Sequence, residues 1–347
     1  MTQLTEANVK NQDFIYHGDF VFESGEKLSQ VKINYSTYGT FDKSKNNVVW
    51  ICHALTANSK PDSWWPNMIG EDFIYNPEEY FVICANVISA CYGSSGPTEI
   101  NSKTGKPYFL SFPKTTVRDM VKALDLLRVE LGIEKIHTCV GGSLGGQQAL
   151  EWAIINPTLI DNLMLMASNA LHSPWGIAFN EAQRMAIKVD PTWQDESLEA
   201  GKTGLAAARA MALISYRTYD TYKSTQSEED CDKMDNFKAV TYQQYQGQKL
   251  IKRFNAHSYI YLTHAMDSHN VGRGRGGVEK ALALVQSKTL VVGIRSDILF
   301  PTSEQKFLQK HINGAVYKEI DSFYGHDGFL IETEAITNVI KEFYALA

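Results

Sequence analysis

Residues 136–156 have the sequence IHTCVGGSLGGQQALEWAIIN, and this stretch carries the strongest structural signal in the chain. Its first part is rich in apolar and β-branched residues, as is typical of a buried strand, and its last part resembles a helix that ends before Pro157. Between them lies the pattern G-x-S-x-G, centred on Ser143. A strand that turns sharply into a helix at this pattern exposes the serine hydroxyl at the helix N-terminus, where amide groups favour negative charge. We therefore predict that Ser143 is a nucleophile.

Short apolar runs on both sides of this stretch predict further strands of one sheet, in alternation with amphipathic helices. The predicted strands are Val48–Cys52, Tyr80–Ala85, Ile136–Val140, Asn162–Ala167, Thr289–Ile294 and Val316–Ile320. The predicted helices of this part are Thr116–Leu131, Gly145–Asn156, Thr302–His311 and Glu332–Tyr344. Such alternation is typical of an α/β fold with a mainly parallel sheet flanked by helices.

The alternation stops in the middle of the chain, where residues 169–287 show no strand pattern. Helical stretches are predicted near Trp175–Ile187, Leu205–Tyr219 and Tyr242–Asp267, with a polar link at Ser224–Asp235. We therefore expect a catalytic α/β domain, residues 1–168 and 288–347, interrupted by a helical lid insertion, residues 169–287. A length of 347 residues fits one large domain with an insertion, since a typical domain has roughly 150 residues.

A serine hydroxyl needs a histidine base and a carboxylate that orients the histidine, in the chain order Ser, Asp, His for this architecture. Asp297 follows the predicted strand that ends at Ile294, and His326 follows the next strand, on a glycine-flanked loop. Both lie where a parallel sheet places its ligand sites. The sequence therefore predicts the triad Ser143, Asp297 and His326.

Two backbone amides are needed to stabilise the negatively charged oxygen of a tetrahedral intermediate. Leu144 directly follows the nucleophile, and Leu55 lies in the loop after the strand Val48–Cys52. We predict that the N–H groups of Leu55 and Leu144 form the oxyanion hole.

Composition narrows the possible functions. Hydrophobic residues make up 44% of the chain and charged residues 21%, and 33 Lys and Arg face 39 Asp and Glu, a net charge of −6. These values argue against a broad surface for nucleic acid or membranes, although a local pocket can still be positive. No apolar run reaches the ~18–20 residues that span a bilayer, and residues 1–14 lack a signal-peptide pattern, so we expect a cytoplasmic protein. We expect buried free thiols at the five cysteines, Cys52, Cys84, Cys91, Cys139 and Cys231.

Two further patterns suggest ligands but have simpler explanations. Residues 272–277, GRGRGG, contain G-x-G-x-x-G but follow a helical run instead of a strand, so we expect a structural turn or a loop near an anionic ligand, not a dinucleotide site. His264, Asp267 and His269 do not repeat on one helical face, so we expect no metal there.

Several ordered blocks of sequence resemble the homoserine O-acetyltransferase family, α/β-hydrolase-fold acyltransferases of methionine biosynthesis. The resemblance extends from about Phe20 to Phe343. The blocks are His53–Thr56, Asn86–Val87, Cys91–Pro97, Thr104–Tyr108, Arg118–Val121, Gly141–Gly146, Ala149–Trp152, Ser268–Gly277 and Tyr324–Leu330.

The resemblance implies the same triad and adds residues for the acyl acceptor. Arg209 matches an arginine that holds the amino-acid substrate, Asp327 matches a carboxylate that holds its amine, and Tyr216 is expected on the same helix face as Arg209. The implied substrates are acetyl-CoA and L-homoserine, in a ping-pong reaction through an acyl-serine, with no resident cofactor. A homodimer formed through the lid is also implied.

The sequence departs from the family pattern at three places. Residue 144 is Leu where Met is frequent, Arg295 stands where Thr is common, and residues 57–62 are divergent beside the expected acyl pocket. Succinyl transfer and serine as acceptor therefore remain alternatives, as does a serine esterase of the same fold.

Overall fold

The computed structural model describes residues 9–346, and its central element is one eight-stranded sheet. Two very short strands, β2 and β3, form a separate antiparallel pair. The strands are β1 (Val9–Tyr16), β2 (Phe20–Val21), β3 (Lys27–Leu28), β4 (Val31–Tyr38), β5 (Val48–Cys52), β6 (Phe81–Ala85), β7 (Ile136–Gly142), β8 (Ile160–Met166), β9 (Lys288–Ile294) and β10 (Val316–Ile320).

The strand order is β1-β4-β6-β5-β7-β8-β9-β10. From β6 to β10 all neighbours are parallel, whereas β4 and β1 join the edge antiparallel. The carboxyl ends of β5, β7 and β9 therefore open on the same edge of the sheet, which is where parallel sheets place their sites.

Helices cover both faces of the sheet and the two hydrophobic cores beneath them. Trp50 of β5 packs edge-on against Trp152 on one face, with ring centroids 4.8 Å apart, while its neighbours Val49 and Ile51 belong to the core of the opposite face. Alternation of side chains along a strand explains this division. The flanking helices are α1 (Val117–Glu130), α2 (Leu144–Ile155), α9 (Thr302–His311), α10 (Gly328–Ile331) and α11 (Thr333–Ala345).

The chain between β8 and β9 is helical and is called the helical segment below. Its helices are α3 (Pro174–Lys188), α4 (Lys202–Tyr216), α5 (Tyr219–Gln226), α6 (Lys238–Ile251), α7 (Ala256–Asp267) and α8 (Val278–Leu282). Short 3₁₀ turns occur at Pro61–Ser63, Phe109–Ser111 and Gly325–Asp327. The predicted absence of strands in this part agrees with the structure, but the assignment of residues 169–287 as a separate lid remains a prediction.

The predicted fold class is correct, and most predicted elements match the structure within a few residues. One predicted helix, Tyr242–Asp267, is wrong because residues 252–255 form a turn in which Asn255 caps α7, with Ser258 N–H donating to Asn255 Oδ1 at 2.8 Å. The predicted helix Leu205–Tyr219 also ends early, at Tyr216, because Thr218 starts α5 by accepting from the N–H of Thr221. The prediction contained neither β1 nor β4.

The five cysteines are free in the structure, but they are not all buried. Cys52, Cys84 and Cys139 are buried, Cys91 is half-buried and Cys231 is exposed. Within residues 9–346, none of the helices has the length and apolar character of a membrane span. Residues 1–8, part of the stretch used in the argument about a signal peptide, lie outside the described residues.

Candidate active site

Ser143 occupies a strained turn between β7 and α2. Its backbone has φ 56° and ψ −125°, a conformation that residues with a side chain rarely adopt. The turn is so tight that a Cβ on Gly145 would lie 2.1 Å from the carbonyl oxygen of Cys52, and one on Gly141 would lie 2.3 Å from the backbone of Gly145. The two glycines of the pattern are therefore required by close backbone packing.

The three predicted triad residues meet at the carboxyl edge of the sheet. His326 Nε2 is 3.0 Å from Ser143 Oγ, and His326 Nδ1 is 2.6 Å from Asp297 Oδ2. All three residues are at least 94% buried. This geometry lets His326 accept the serine proton at one ring nitrogen while Asp297 fixes the other.

Asp297 and His326 are held by their own surroundings. The second carboxylate oxygen of Asp297 accepts hydrogen bonds from the N–H groups of Leu299 and Phe300 at 2.8 and 2.9 Å. The Phe300 ring stacks on the His326 ring at 5.0 Å. Burial by itself lowers the pKa of His326, but the charge and hydrogen bond of Asp297 and the charge of Asp327 outweigh it, so the pKa is raised above 6.5.

A further carboxylate, Glu304, lies close enough to influence Asp297. Asn169 Nδ2 donates to Glu304 Oε2 at 2.7 Å. Burial raises the pKa of Glu304 to about 7, assisted by the negative charge of Asp297 and opposed by hydrogen bonds from Asn169 and Ser173. Glu304 therefore changes charge near neutral pH, and no local sequence pattern indicates this.

Of the predicted oxyanion-hole residues, Leu144 directly follows the serine and Leu55 lines the same cavity as the serine. Leu144 is the first residue of α2, where the N–H groups lack partners within the helix, and Leu55 lies in the loop after β5. Within residues 9–346, neither N–H donates a hydrogen bond to another group. Both N–H groups therefore lack a protein acceptor, as the predicted oxyanion hole requires.

The loop that carries Leu55 is fixed by a buried histidine. The N–H of Val87 donates to His53 Nε2 at 3.1 Å, and the Gln148 side chain of α2 donates to the carbonyl of His53 at 3.1 Å. Burial lowers the pKa of His53 to about 4, so the ring is neutral near pH 7. His53 thus ties the loop to its neighbours as a neutral ring.

Ser143 and His326 open into a cavity of about 400 Å³ that is also lined by the three residues predicted for the acceptor. Arg209 lies over the Tyr216 ring, with its guanidinium carbon 5.5 Å from the ring centroid, which confirms that they share one face of α4. Asp327 follows His326 and faces the same cavity. Leu55 lines the cavity as well, so Ser143, His326, the loop of Leu55 and two charged side chains meet at one space.

Asp327 has a partner that the sequence did not indicate. Arg217 Nε lies 2.9 Å from Asp327 Oδ2, and both side chains are mostly buried. Burial raises the pKa of Asp327, while the charges of Arg217, Arg209 and His326 act in the opposite direction. Arg217 follows α4 directly, and only the packing of the helical segment brings it to this loop.

The GRGRGG segment is a structural turn. Arg275 makes two bonds to Glu151 of α2, at 2.6 and 3.0 Å, and Arg273 pairs with Glu23 at 2.7 Å. Arg118 of α1 contacts both carboxylates, at 2.6 and 2.7 Å. These arginines therefore attach α2, the helix that follows Ser143, to α1 and to the last part of the helical segment.

Two of the three residues weighed as metal ligands, Asp267 and His269, have other partners. Asp267 pairs with Arg184 at 2.6 Å, and His269 Nε2 lies 3.1 Å from the carbonyl of Asn169. No group of three or more metal-binding side chains is found within residues 9–346.

Comparisons with known proteins identify the family of this chain. A family model described as alpha/beta hydrolase fold matches residues 47–333. The homoserine O-acetyltransferase of Cyclobacterium marinum is 48% identical over 93% of this chain and 92% of its own length. The chain belongs to the homoserine O-acetyltransferase family. It is therefore an acyltransferase of the α/β-hydrolase fold.

Solved structures extend the comparison. The homoserine O-acetyltransferase from Bacillus anthracis superposes with a TM-score of 0.89 at 25% identity, over 97% of both chains. Esterase E22 superposes almost equally well, with a TM-score of 0.88 at 24% identity over 96% of this chain and 99% of its own. The fold is thus common to the homoserine O-acetyltransferase family and an esterase, and the distinction between transfer and hydrolysis must come from the site.

Proposed function

We propose that the protein transfers an acetyl group from acetyl-CoA to the hydroxyl of L-homoserine. The observation that carries this proposal is one cavity in which Ser143 and His326, whose ring is paired with Asp297, meet Arg209 and Asp327. A zwitterionic amino acid offers a carboxylate and an ammonium, so it is recognised by one fixed cation and one fixed anion beside the reacting group. An esterase for simple esters has no need of this pair.

The first half-reaction acylates the serine. His326 Nε2 takes the proton of Ser143 Oγ as the oxygen attacks the thioester carbonyl carbon, and the N–H groups of Leu55 and Leu144 stabilise the oxyanion. The intermediate collapses with loss of the CoA thiolate, which receives the proton from His326. Asp297 stabilises the imidazolium that forms between these steps.

The second half-reaction transfers the acetyl group. Arg209 holds the carboxylate of homoserine and Asp327 its ammonium, which directs the side-chain hydroxyl to the acyl-serine. His326, now neutral, removes the hydroxyl proton while the oxygen attacks the acyl carbon, and then returns that proton to Ser143 Oγ. Tyr216 lines the acceptor pocket between Arg209 and His326, with its ring 5.8 Å from the His326 ring. No resident cofactor or metal takes part.

In this proposal the helical segment acts as a lid over the site. Arg209 and Tyr216 of α4 reach the triad from this segment, so it covers the acyl-serine on the solvent side. Restricting water matters for a transferase because hydrolysis of the acyl-enzyme competes with transfer. We also place the enzyme in the cytoplasm and in methionine biosynthesis.

A homodimer through the helical segment is part of the proposal. Helices α4 and α6, which pack against each other, expose large apolar side chains that a partner could cover. They are Met211, Ile214, Val240 and Tyr245.

A donor and acceptor matrix tests the substrates. Acetyl-CoA and succinyl-CoA are each combined with L-homoserine and L-serine, and CoA release is followed with a thiol reagent. The proposal predicts the fastest release for acetyl-CoA with homoserine. Faster release with succinyl-CoA or with serine would replace the donor or acceptor, and equal release without any acceptor would favour a hydrolase.

A variant separates the acceptor pocket from the chemistry. Arg209→Leu is expected to raise the KM for homoserine more than tenfold, since a charged hydrogen bond contributes about 1.5–3 kcal/mol. Acylation of the serine by acetyl-CoA alone should persist in this variant. An unchanged KM for homoserine would remove Arg209 from the acceptor site.

A further inference from the structure

The mouth of the cavity carries basic side chains that have no role in the reaction steps proposed above. Lys249, in the last turn of α6, and Arg253, in the turn after it, line the cavity and are exposed to solvent. Among the described lining residues, the carboxylate of Asp327 is the only acidic side chain, and it is already paired with Arg217. A chain with a net charge of −6 thus has a locally positive entrance.

Arg253 is oriented by neutral acceptors. Its Nη1 donates to the carbonyl of Thr56 and to the Tyr92 hydroxyl, and its Nη2 lies 3.5 Å from Thr56 Oγ1. These contacts fix the guanidinium beside the loop of Leu55 without neutralising its charge. Two neutral partners therefore hold a cation in place at the entrance.

Lys249 has no ion-pair partner within residues 9–346. An ammonium that lines a cavity and lacks a carboxylate can bind an anion without first losing a protein partner.

We propose that Lys249 and Arg253 form an anion site that binds the phosphate groups of the acyl-CoA donor. The inference rests on the proposed use of acetyl-CoA. In such a donor the pantetheine arm separates the reacting thioester from the phosphates, so cations that hold phosphate must lie at the mouth and away from Ser143. The fixed guanidinium of Arg253 suits two phosphate oxygens, and the flexible ammonium of Lys249 acts as a point charge.

Arg209, which lies deeper in the cavity, has a different role. Arg209 lies at the Tyr216 ring, which is next to His326, and so it is placed for the carboxylate of the acceptor. The cavity therefore holds two anion sites, a deep one for the amino acid and an outer one for phosphate. Substitution of Lys249 should therefore affect the donor alone.

The test compares two thioesters that differ only in the distal part of the molecule, acetyl-CoA and S-acetyl-pantetheine, which lacks the phosphates and the nucleotide. Steady-state rates with homoserine are measured for the unsubstituted chain, Lys249→Glu and Arg253→Gln. Lys252→Glu serves as the matched control because Lys252 is an exposed neighbour with the same charge that does not line the cavity. S-acetyl-dephospho-CoA then separates the 3′-phosphate from the pyrophosphate.

We expect Lys249→Glu to raise the KM for acetyl-CoA at least tenfold, with the KM for S-acetyl-pantetheine and for homoserine unchanged. Lys252→Glu should stay within twofold of the unsubstituted chain for both donors. The KM for acetyl-CoA should also increase with ionic strength, and less so in Lys249→Glu, because salt screens exposed charges.

Two results would overturn the inference. One is a KM for acetyl-CoA that is the same in Lys249→Glu and in the unsubstituted chain, and the other is an equal change for both thioesters, which would place Lys249 near the thioester. For Arg253→Gln the measure is the ratio of the KM values for acetyl-CoA and S-acetyl-pantetheine. Arg253 also contacts Thr56, in the loop of Leu55, so this variant can change the reaction with both donors. Failure of the proposed function gives a different result, since the unsubstituted chain would then not transfer acetyl from either thioester to homoserine.

Discussion

At His326, opposing influences set the pH range in which the base is active. The raised pKa of His326 means that the ring is protonated, and inactive as a base, up to a pH above its ordinary value of 6.5. The rate of acylation should therefore rise with pH through an apparent pKa above 6.5 and be lost as the pH falls below it.

Replacing the orienting carboxylate should change both the rate and this profile. In Asp297→Asn the attraction that raises the pKa of His326 is removed while burial remains, so the acidic limb should move to lower pH. The kcat should fall by about 10⁴-fold, as expected when the histidine loses its orienting acid. The measurement is kcat/KM for acetyl-CoA between about pH 5 and 9.

Glu304→Gln provides the control for that experiment. It is the same change of carboxylate to amide, close to Asp297, but it leaves the bond between Asp297 and His326 in place. Its rate should stay within about tenfold of the unsubstituted chain. If the acidic limb of the pH profile does not move in Asp297→Asn, then Asp297 does not raise the pKa of His326.

Arg217 is a positioning residue for Asp327. Arg217→Met removes the nearest positive charge, so the pKa of Asp327 should rise further and a smaller share of its carboxyl groups should carry a charge. A neutral acid cannot balance an ammonium, and the KM for homoserine should rise about tenfold or more, with a smaller effect on kcat and none on the KM for acetyl-CoA.

Arg217→Lys tests whether charge is the cause. It keeps a cation beside Asp327 and should restore most of the affinity for homoserine. A similar loss in both variants, or an increase in the KM for acetyl-CoA, would show that Arg217 acts on the structure of the segment and not on Asp327.

The residues of the triad could be predicted because each is tied to a local signal. Ser143 has its glycines, and Asp297 and His326 each follow a strand of the predicted sheet. Arg217, Lys249 and Arg253 have no such signal. Their roles depend on which face of a helix meets the cavity, and that is determined by long-range packing.

At the scale of elements, α2 is fixed to its surroundings by charge as well as by packing. Glu151 is 2% exposed and its carboxylate contacts both Arg118 and Arg275. Arg275→Met leaves part of this buried charge without a partner, so the free energy of unfolding should fall by about 3 kcal/mol. Chemical denaturation measures the change.

Arg295→Met is the matched control for this loss. Arg295 also pairs with two carboxylates, Glu319 and Asp321, but its side chain is 63% exposed. Water and salt already screen that pair, so the unfolding midpoint should hardly change. Equal losses in the two variants would show that burial of Glu151 is not the reason.

Elements were predicted well where the hydrophobic pattern was strong and poorly where it was not. Strand β1 is an edge strand with mostly exposed or half-buried residues, so its sequence VKNQDFIY has little apolar alternation. The break between α6 and α7 depends on the cap at Asn255, which a continuous helical composition conceals.

At the scale of the whole molecule, the proposed homodimer predicts a mass twice that of the 38.9 kDa chain. Ile214 of α4 is 58% exposed, and Ile214→Glu should shift the protein towards the monomer because it places a charge in an apolar contact. Sedimentation equilibrium measures the mass.

Val129→Glu is the control, since Val129 is 60% exposed on α1, outside the helical segment. It should leave the dimer intact. A monomeric unsubstituted chain, or a dimer that survives in Ile214→Glu, would contradict an interface at this face.

The overall shape of the molecule does not determine which reaction it catalyses. The homoserine O-acetyltransferase of Bacillus anthracis and esterase E22 superpose on this chain about equally well, so the overall shape does not decide between transfer and hydrolysis. The choice between transfer and hydrolysis depends on a few charged side chains around one cavity. Such side chains leave little trace in the hydrophobic pattern, so the fold could be predicted more completely than the substrates.

The most direct test of acetyl transfer through Ser143 is pre-steady-state release of CoA from acetyl-CoA, combined with peptide mass spectrometry. Without homoserine, we expect a burst of one CoA per chain, an acetyl group on Ser143 and little further release. Addition of homoserine should then discharge the acetyl group and start steady turnover, and Ser143→Ala should show neither. Steady CoA release that does not depend on homoserine, or turnover without acetylation of Ser143, would contradict the account.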